Sequence, residues 1–297
     1  MMRSLYSGVS GLRVHQTRMD VIGANIANVN TVGFKCSRVT FRDVLYQSIS
    51  NPARPSNDSP ERGGTNPSQI GLGVTVASID VLNTRAGPML TDKPFDVYID
   101  GEGYFSVLDA SGVVYYTRVG DFNFDALGQL VDGNGNFVLG LRFDAEDTLD
   151  VTAFTDPDTG MITDELTTIV VEDFEYYTQI KIGIDGVITG YSTKPEDAEN
   201  PIKYLGQVVL SKFINSDGLS QEGGTYLLPT ANSGEPVAFA PGLGGTGRTI
   251  TSRLEMSNVE LSREFTDMIV TQRGFQANSR IITVSDEMLQ ELVNLKR

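Results

Sequence analysis

The sequence has few of the residues from which reactive centres are built. Its 297 residues include no tryptophan, one histidine, His15, and one cysteine, Cys36. A single cysteine excludes an intramolecular disulfide, and zinc or copper sites that combine several histidines and cysteines are excluded as well. We expect His15 to be a packing or surface residue and Cys36 to be an inert side chain.

The chain also lacks long apolar segments. No run of about eighteen apolar residues occurs, so the sequence predicts no helix that crosses a membrane. The N-terminal residues lack the continuous apolar stretch of a secretory signal. We therefore expect no membrane insertion. If the protein leaves the cell, we expect an export route that cleaves no signal peptide.

Positive charge is scarce, and it is unevenly distributed. Lys and Arg number 23 against 38 Asp and Glu, which gives a net charge of −15. Residues 1–50 carry a net +4, residues 254–297 a net −2, and residues 51–253 a net −17. Such an acidic surface repels phosphate, which argues against a nucleic-acid partner. We interpret the middle of the chain as a solvated outer surface.

Both ends of the chain carry apolar residues at the alternating three- and four-residue steps of a coiled coil. The pattern predicts amphipathic helices over residues 3–29 and about 257–295. Each seam needs a partner, either the other end of the same chain or the same segment of a neighbouring copy, which favours an assembly protein. The predicted packing residues are Leu5, Val9, Leu12, Met19, Ile26, Leu261, Phe265, Met268, Phe275, Ile282 and Leu289.

Three glycines, Gly8, Gly11 and Gly23, lie within the first predicted helix. Each costs about 1 kcal/mol relative to alanine in a helix interior. We expect them to let another helix approach closely; the alternative is that they mark helix breaks. Because isolated helices of this kind are marginal in water, both terminal segments are expected to be disordered in the monomer. The second helix is expected to begin near a capping box formed by Ser257 and Glu260.

The middle of the chain shows the two-residue alternation of β-strands, punctuated by Asp-Gly and Asn-Gly turns. We expect a β-rich core domain over 70–142 and 173–253, with a small inserted β region at 143–172. Residues 36–69 contain a segment rich in Pro, Asn, Ser and Gly and are expected to form an irregular connector. That connector opens with a short extended or helical piece at 37–49.

These elements predict an α+β fold that is mainly antiparallel β. The terminal segments 1–35 and 254–297 would pair as a coiled-coil-like helical domain. Residues 242–247 match G-x-G-x-x-G, but no strand–helix context surrounds them, so we interpret them as a loop. The turns at 132–136 and 156–160 lack the glycine and glutamate of a calcium loop. No catalytic, cofactor or metal site is therefore predicted, and we do not expect an enzyme.

Several motifs in the same order resemble those of bacterial flagellar rod and hook proteins. ANIANVNTVGFK at 24–35 resembles their N-terminal signature, and the segment 265–297 resembles their C-terminal one. The segments GGTNPSQIGLGVTVASID at 63–80, LEMSNVEL at 254–261 and FDVYIDGEGYFSV at 95–107 are most similar to the hook members. The resemblance covers both termini and most of the β-rich middle, roughly two-thirds of the chain.

The resemblance implies that the terminal helices line a tube and that the β-domains lie outside it. It implies assembly with further copies of the chain and with other flagellar axial proteins of the rod, hook–filament junction and hook cap. It also implies export by the type III apparatus and a place in the extracellular hook or basal body. The motif residues that carry this resemblance are Asn25, Asn28, Asn30, Gln272, Phe275, Asn278 and Ser279.

The expected function is that of a structural subunit of the tubular hook, a flexible joint between rod and filament. The distal rod protein is the alternative within the family. A secreted binding module, such as an adhesin with a helical oligomerisation stalk, is the alternative from another class. An enzyme with an unusual carboxylate site is a third hypothesis that no sequence feature favours.

Overall fold

The computed structural model describes residues 2–55, 63–143, 161–162, 166–172, 174–194 and 201–295. They form two compact units. The helical unit comprises Met1–Val29, Cys36–Leu82 and Val259–Arg297, and the β unit comprises Asn30–Lys35 and Asn83–Asn258. The predicted α+β class with antiparallel sheets and a helix at each end is confirmed.

The helical unit contains two long helices and four strands. Helix α1 spans Met2–Ala27, close to the predicted 3–29. Helix α2 spans Leu261–Asn294. The strands are β1 (Ser37–Asp43), β2 (Tyr46–Ser50), β3 (Ser68–Gly71) and β4 (Val74–Val81).

Helix α2 begins later than predicted. Its N-cap residue is Glu260, whose side chain makes no capping hydrogen bond. The predicted capping box with Ser257 at the N-cap is therefore wrong. The physical reason is that residues 253–258 continue along the β unit, where the amide of Asn258 donates to the Phe34 carbonyl at 3.4 Å.

The expected connector at 36–69 is not irregular throughout, because β1, β2 and the start of β3 lie in it. Strand β1 and most of β2 agree with the extended alternative for 37–49. Strand β1 pairs antiparallel with β4, from Ser37 opposite Val81 to Asp43 opposite Val74, and β2 pairs antiparallel with β3. Strand β4 therefore belongs to the helical unit and not to the β-rich core. The partner strands are distant in sequence, so composition alone did not reveal the pairing.

The β unit is built on an antiparallel sheet of thirteen strands among the described residues. Its main path runs β13-β14-β15-β11-β7-β8-β18-β17, and two smaller pairs, β20 with β6 and β21 with β5, flank it. The strands are β5 (Pro88–Leu90), β6 (Val97–Asp100), β7 (Tyr104–Leu108), β8 (Val114–Thr117), β9 (Phe122–Phe124), β10 (Leu130–Asp132), β11 (Phe137–Arg142), β12 (Thr167–Thr168), β13 (Tyr177–Ile182), β14 (Val187–Ser192), β15 (Ile202–Val208), β16 (Leu210–Lys212), β17 (Ser220–Gly223), β18 (Tyr226–Leu228), β19 (Val237–Phe239), β20 (Arg248–Thr251) and β21 (Arg253–Glu255).

The core of the β unit gathers around the central strand β7, which is buried on both faces. Phe105 packs edge-on against Phe122 with ring centroids 5.0 Å apart. The Ser106 hydroxyl on β7 pairs with the Ser211 hydroxyl at 2.7 Å. Burial of that polar group is thereby offset by a hydrogen bond. The largest cluster of buried apolar side chains includes Phe105, Val107 and Phe122.

The inserted region at 143–172 lies largely outside the described residues, as does the turn at 156–160, so its fold stays a prediction. Its described flanks join the core sheet. Strand β12 pairs antiparallel with β11, and Met161 forms a bridge to Phe239.

One buried carboxylate binds together the segments through which the chain enters and leaves the β unit. Glu255 accepts a hydrogen bond from Lys35 Nζ at 2.6 Å and one from Arg118 Nη1 at 3.4 Å. All three side chains are less than a tenth exposed. The amide of Ala86 donates to the same carboxylate at 3.1 Å, so the ionised group is well satisfied.

The backbone reinforces this junction. The amide of Gly33 donates to the Glu255 carbonyl at 2.8 Å. Gly33 has a φ of +70°, and a Cβ at this position would lie 2.7 Å from Cγ2 of Val119. Glycine is therefore required where the entering segment packs against Val119.

Removing the shared carboxylate should destabilise the β unit strongly. Glu255→Gln leaves two buried cations without their counter-ion, and we expect a loss of about 3–5 kcal/mol in the free energy of unfolding measured with urea. The control is Asp100→Asn, which removes the exposed 3.2 Å ion pair with Arg85 and should cost about 0–1 kcal/mol. Equal losses in the two variants would contradict the assigned role of Glu255.

Candidate assembly surface

The two helices pair antiparallel within one chain. Arg18 Nη2 lies 3.0 Å from Asp267 Oδ1, and Asn25 Nδ2 donates to Glu264 Oε2 at 3.3 Å. Of the two partners that the sequence left open, the structure therefore shows the other end of the same chain. This differs from the expectation that both helices are disordered in the monomer, because each covers part of the other.

Glycine allows this close approach at two of the three predicted positions. A Cβ at Gly11 would lie 2.6 Å from Nδ2 of Asn278, and one at Gly8 would lie 3.4 Å from Cγ1 of Ile282. A Cβ at Gly23 would meet nothing within 4 Å. Helix α1 is continuous through all three glycines, so the helix-break alternative is wrong. The packing interpretation holds for Gly8 and Gly11 but not for Gly23.

The seam that joins the helices is shifted from the predicted one. On α1, the buried positions are Gly8, Gly11, Val14, Ile22 and Asn25, whereas the predicted Leu5, Val9, Leu12, Met19 and Ile26 are half-buried. On α2, the least exposed residues are Thr271 and Ser285. Four of the predicted packing residues are half-buried, namely Met268, Phe275, Ile282 and Leu289. The predicted Leu261 and Phe265 are exposed, at 39% and 50%.

Small polar side chains explain the shift. Thr271 Oγ1 donates to the Asp267 carbonyl at 2.6 Å, and Ser285 Oγ donates to the Ile281 carbonyl at 2.7 Å. Each buried hydroxyl is thereby satisfied by its own helix backbone. A search for apolar residues overlooks such positions, although both side chains are almost fully buried.

The motif residues fall into several environments. Asn25 is buried and pairs with the start of β1: its Nδ2 donates to the Ser37 carbonyl at 2.9 Å, and its Oδ1 accepts from the Ser37 amide at 3.0 Å. Asn28 Nδ2 donates to the Ala24 carbonyl at 2.9 Å, at the helix end. The others are exposed, namely Asn30 and Gln272, or half-buried, namely Phe275, Asn278 and Ser279. Their role in assembly stays a prediction.

His15 packs in the helical unit, as expected. Its ring lies edge-on to Phe41 with centroids 5.9 Å apart, and a Cβ at Gly274 would lie 2.7 Å from its Cε1. Its Nδ1 is buried with no hydrogen-bond partner among the described residues. Burial is the main cause that lowers the pKa of His15, and the nearby Arg18 lowers it further.

A groove lies beside helix α1, mostly away from its glycine-rich seam but sharing Val14 with it. Its volume is about 590 Å³, and helix α1 forms one wall while the start of β4 forms another. We call it the α1 groove; its lining residues are Leu5, Tyr6, Val9, Ser10, Arg13, Val14, Val44, Val74 and Thr75.

Helix α2 carries a second apolar face that α1 does not cover. Its residues follow steps of three and four, and every residue from 290 to 295 is exposed. We call this face the α2 stripe; it comprises Ile281, Val284, Met288, Leu292 and Leu295. The β2–β3 hairpin of the same unit adds a further exposed apolar set, Leu45, Tyr46, Ile49 and Ile70. Exposed apolar surface on this scale is typical of protein–protein contacts.

Other kinds of site are not apparent in the described ranges. No group of three or more His, Cys, Asp or Glu there is arranged to hold a metal ion. Neither of the described helices is both long and apolar enough to span a bilayer. Residues 242–247 form turns between β19 and β20, in agreement with the predicted loop.

Three family models match the chain. The model described as flagella basal body rod protein matches residues 5–35. The model described as flagellar hook protein FlgE/F/G D1 domain matches residues 98–190. The model described as flagellar basal body rod FlgEFG protein C-terminal matches residues 250–295. The first and last matches contain most of α1 and α2, and the middle one lies in the β unit.

Relatives align with the chain over its whole length. The flagellar basal-body rod protein FlgG of Bacillus subtilis is 45% identical over 298 residues, spanning 100% of both chains. FlgG of Borreliella burgdorferi is 34% identical over 297 residues, again spanning 100% of both. The flagellar hook protein FlgE of Borreliella burgdorferi is 32% identical, but its alignment extends over 453 residues.

Adding a side chain at Gly11 should weaken the helix pair. We expect Gly11→Val to lower the free energy of unfolding by about 1–3 kcal/mol because of the contact with Asn278. Gly23→Ala meets open space and should raise stability by about 0.5–1 kcal/mol. Urea unfolding followed by helical circular dichroism measures both, and Asn278→Ala should recover part of the Gly11→Val loss. Equal stability of the two glycine variants would refute close packing at Gly11.

His15 should make the helical unit less stable in acid. Its folded pKa lies below the ordinary value of 6.5, so the unfolded chain binds the proton more readily. The stabilisation is therefore complete above the unfolded pKa and is lost as the pH falls below it. We expect the urea midpoint to drop between pH 7 and about 5.5, where carboxylates remain ionised. His15→Gln should flatten this profile, and parallel profiles for the two proteins would contradict the assignment.

Proposed function

The chain belongs to the family of flagellar basal-body rod and hook proteins, and on that premise we propose that it is the subunit of the distal rod. The observation that carries the proposal is the 45% identity to a FlgG rod protein over essentially equal lengths. The chain is thus a structural protein of the flagellar axis, with the link to the basal body and to motility that the resemblance implied.

The preference for the hook subunit is not confirmed, and the rod alternative fits better. The motifs that favoured the hook lie in segments that rod and hook relatives share. Length discriminates between them, because alignment with the hook protein needs 453 residues against 298 with the rod protein. The 32% identity to a hook protein keeps the hook as the second candidate.

The proposed mechanism is assembly into a tube through the helical unit. The α2 stripe and the β2–β3 hairpin supply apolar surface that a single chain leaves exposed. Contacts between different patches on successive copies do not close into a pair and so generate a helical filament. The β unit contains most of the acidic middle of the chain and would form the solvated exterior.

The remaining partners follow from family membership. We propose that the subunit contacts other rod proteins at one end and the hook at the other. We further propose that it reaches its place in the basal body through the type III export apparatus without signal cleavage. The adhesin alternative gains no support from the relatives, whose names describe rod and hook proteins.

The rod assignment is tested by complementation in Bacillus subtilis, whose FlgG is 45% identical to this chain. Expression in a strain that lacks FlgG should restore flagellar filaments and swimming, whereas expression in a strain that lacks the hook protein should not. Rescue of the hook-deficient strain alone would overturn the rod proposal in favour of the hook. Secretion without rescue of either strain, together with a discrete soluble oligomer, would favour the adhesin.

Charge placed on α2 should separate folding from assembly. Val284→Asp lies on the exposed α2 stripe, so we expect normal helix content but no filaments by electron microscopy. Phe275 is half-buried. The variant Phe275→Asp should therefore reduce both filament formation and the stability of the helix pair, while the β unit stays folded. The exposed Gln276→Asp is the matched control and should assemble normally. Filaments of normal appearance from Val284→Asp would count against assembly through the stripe.

A further inference from the structure

We infer that the α1 groove of one subunit receives the C-terminal end of the α2 stripe from a second copy of the chain. The inference rests on the proposed function, because it names the contact through which successive subunits join. The inserted residues would be Met288, Leu292 and Leu295, which follow one another at steps of four and three on α2.

The groove is held open by contacts within the helical unit. The amide of Val74 donates to Ser10 Oγ at 3.3 Å, and Ser10 Oγ donates to the Ser7 carbonyl at 2.8 Å. A Cβ at Gly73 would lie 2.3 Å from Ser10 Oγ. Glycine therefore lets the start of β4 lie against α1, which fixes one wall of the groove. Most of the residues that line the groove are apolar. One of them, Tyr6 on α1, has 67% of its surface exposed to solvent.

The end of α2 is the segment of this chain that suits the groove. Helix α2 has eight residues more than α1, and Gly8 of α1 already lies beside Ile282. The final turns of α2 therefore run past the first turn of α1. Their outermost apolar residue, Leu295, is 82% exposed. A projecting apolar helix end and an apolar groove on the same unit are complementary surfaces.

Charge complements shape at this contact. Arg13 lines the groove, and it is exposed. Glu287 and Glu291 are exposed on the side of α2 that carries the stripe, one helical turn apart. Insertion of the stripe would bring these carboxylates towards the Arg13 guanidinium, and opposite charges at the rim of an interface favour the correct partner and register.

A chain cannot fill its own groove. Its α2 lies against the face of α1 that carries Gly8 and Gly11, and the groove residues Tyr6, Val9 and Arg13 lie on the opposite face. The helix end must therefore come from another copy. The groove of that copy remains free for a third, so the contact is heterologous and repeats without closing.

Cross-linking between two different chains tests the contact. One chain carries Tyr6→Cys, the other carries Leu292→Cys, and Cys36→Ser is present in both to remove the native thiol. Both are mixed into an excess of the Cys36→Ser chain, so that filaments form even where a single cysteine weakens assembly. The control replaces Tyr6→Cys with Gln16→Cys, an exposed position on α1 outside the groove.

In oxidised filaments we expect the Tyr6–Leu292 pair to give about tenfold more covalent dimer than the Gln16–Leu292 pair, because docking raises the local thiol concentration. Normal filaments with equal or no cross-linking in the two mixtures would overturn the groove contact and leave the proposed function intact. Failure of the Cys36→Ser chain and the unmodified chain to form any filament would overturn the proposed function and the groove contact together.

Charge reversal gives an independent measurement. Arg13→Glu alone, or Glu287→Arg with Glu291→Arg, should raise the critical concentration for assembly about tenfold. The triple variant should recover most of this loss, since each contact again joins opposite charges. Arg263→Glu, at an exposed position in the first turn of α2, is the control and should have little effect. Additive losses in the triple variant would contradict the contact.

Discussion

The close approach of α1 and α2 is the constraint on which the helical unit depends. Gly8 and Gly11 face Asn278 and Ile282, and Thr271 and Ser285 satisfy their own hydroxyls within the helix. Small residues therefore occupy the intramolecular seam. The α2 stripe lies outside this seam, and its apolar side chains are exposed. On the proposed function, this stripe is the surface that joins neighbouring copies.

The β unit is organised by a different interaction. Glu255 binds Lys35 and Arg118 in a buried ionic cluster at the point where the chain enters and leaves the sheet. Burying three charges costs solvation that the ion pairs and hydrogen bonds offset. Within the β unit, the cluster holds Lys35 of the entering segment against Glu255 of the leaving segment.

Much of the fold could be predicted from the sequence, but the packing details could not. Period-two alternation indicated that residues 70–142 and 173–253 are rich in antiparallel strands without placing most of them, and heptad spacing located both helices. The seam on α1 was displaced by one position because the true contact residues include Gly8, Gly11 and Asn25, which carry no apolar signal. The extended alternative for residues 37–49 covered strand β1, but its pairing with β4 was missed because β4 lies beyond a polar, proline-rich segment. Glu255 and Lys35 are 220 residues apart, and no local pattern joins them. The motifs at 63–80, 95–107 and 254–261 did not separate rod from hook proteins. The preference for the rod rests on identity and on alignment length, which is 298 residues with a rod protein and 453 with a hook protein.

The central claim is that the helix pair forms within each chain and that the apolar face left over on α2 joins neighbouring chains. A reconstruction of the assembled tube by electron cryomicroscopy, at a resolution that shows side chains, tests it most directly. The account predicts that each α1 remains paired with α2 of its own chain and that Val284, Met288 and Leu292 are buried against another subunit. A tube in which α1 pairs with α2 of a different chain, or in which these three side chains face solvent, would contradict it.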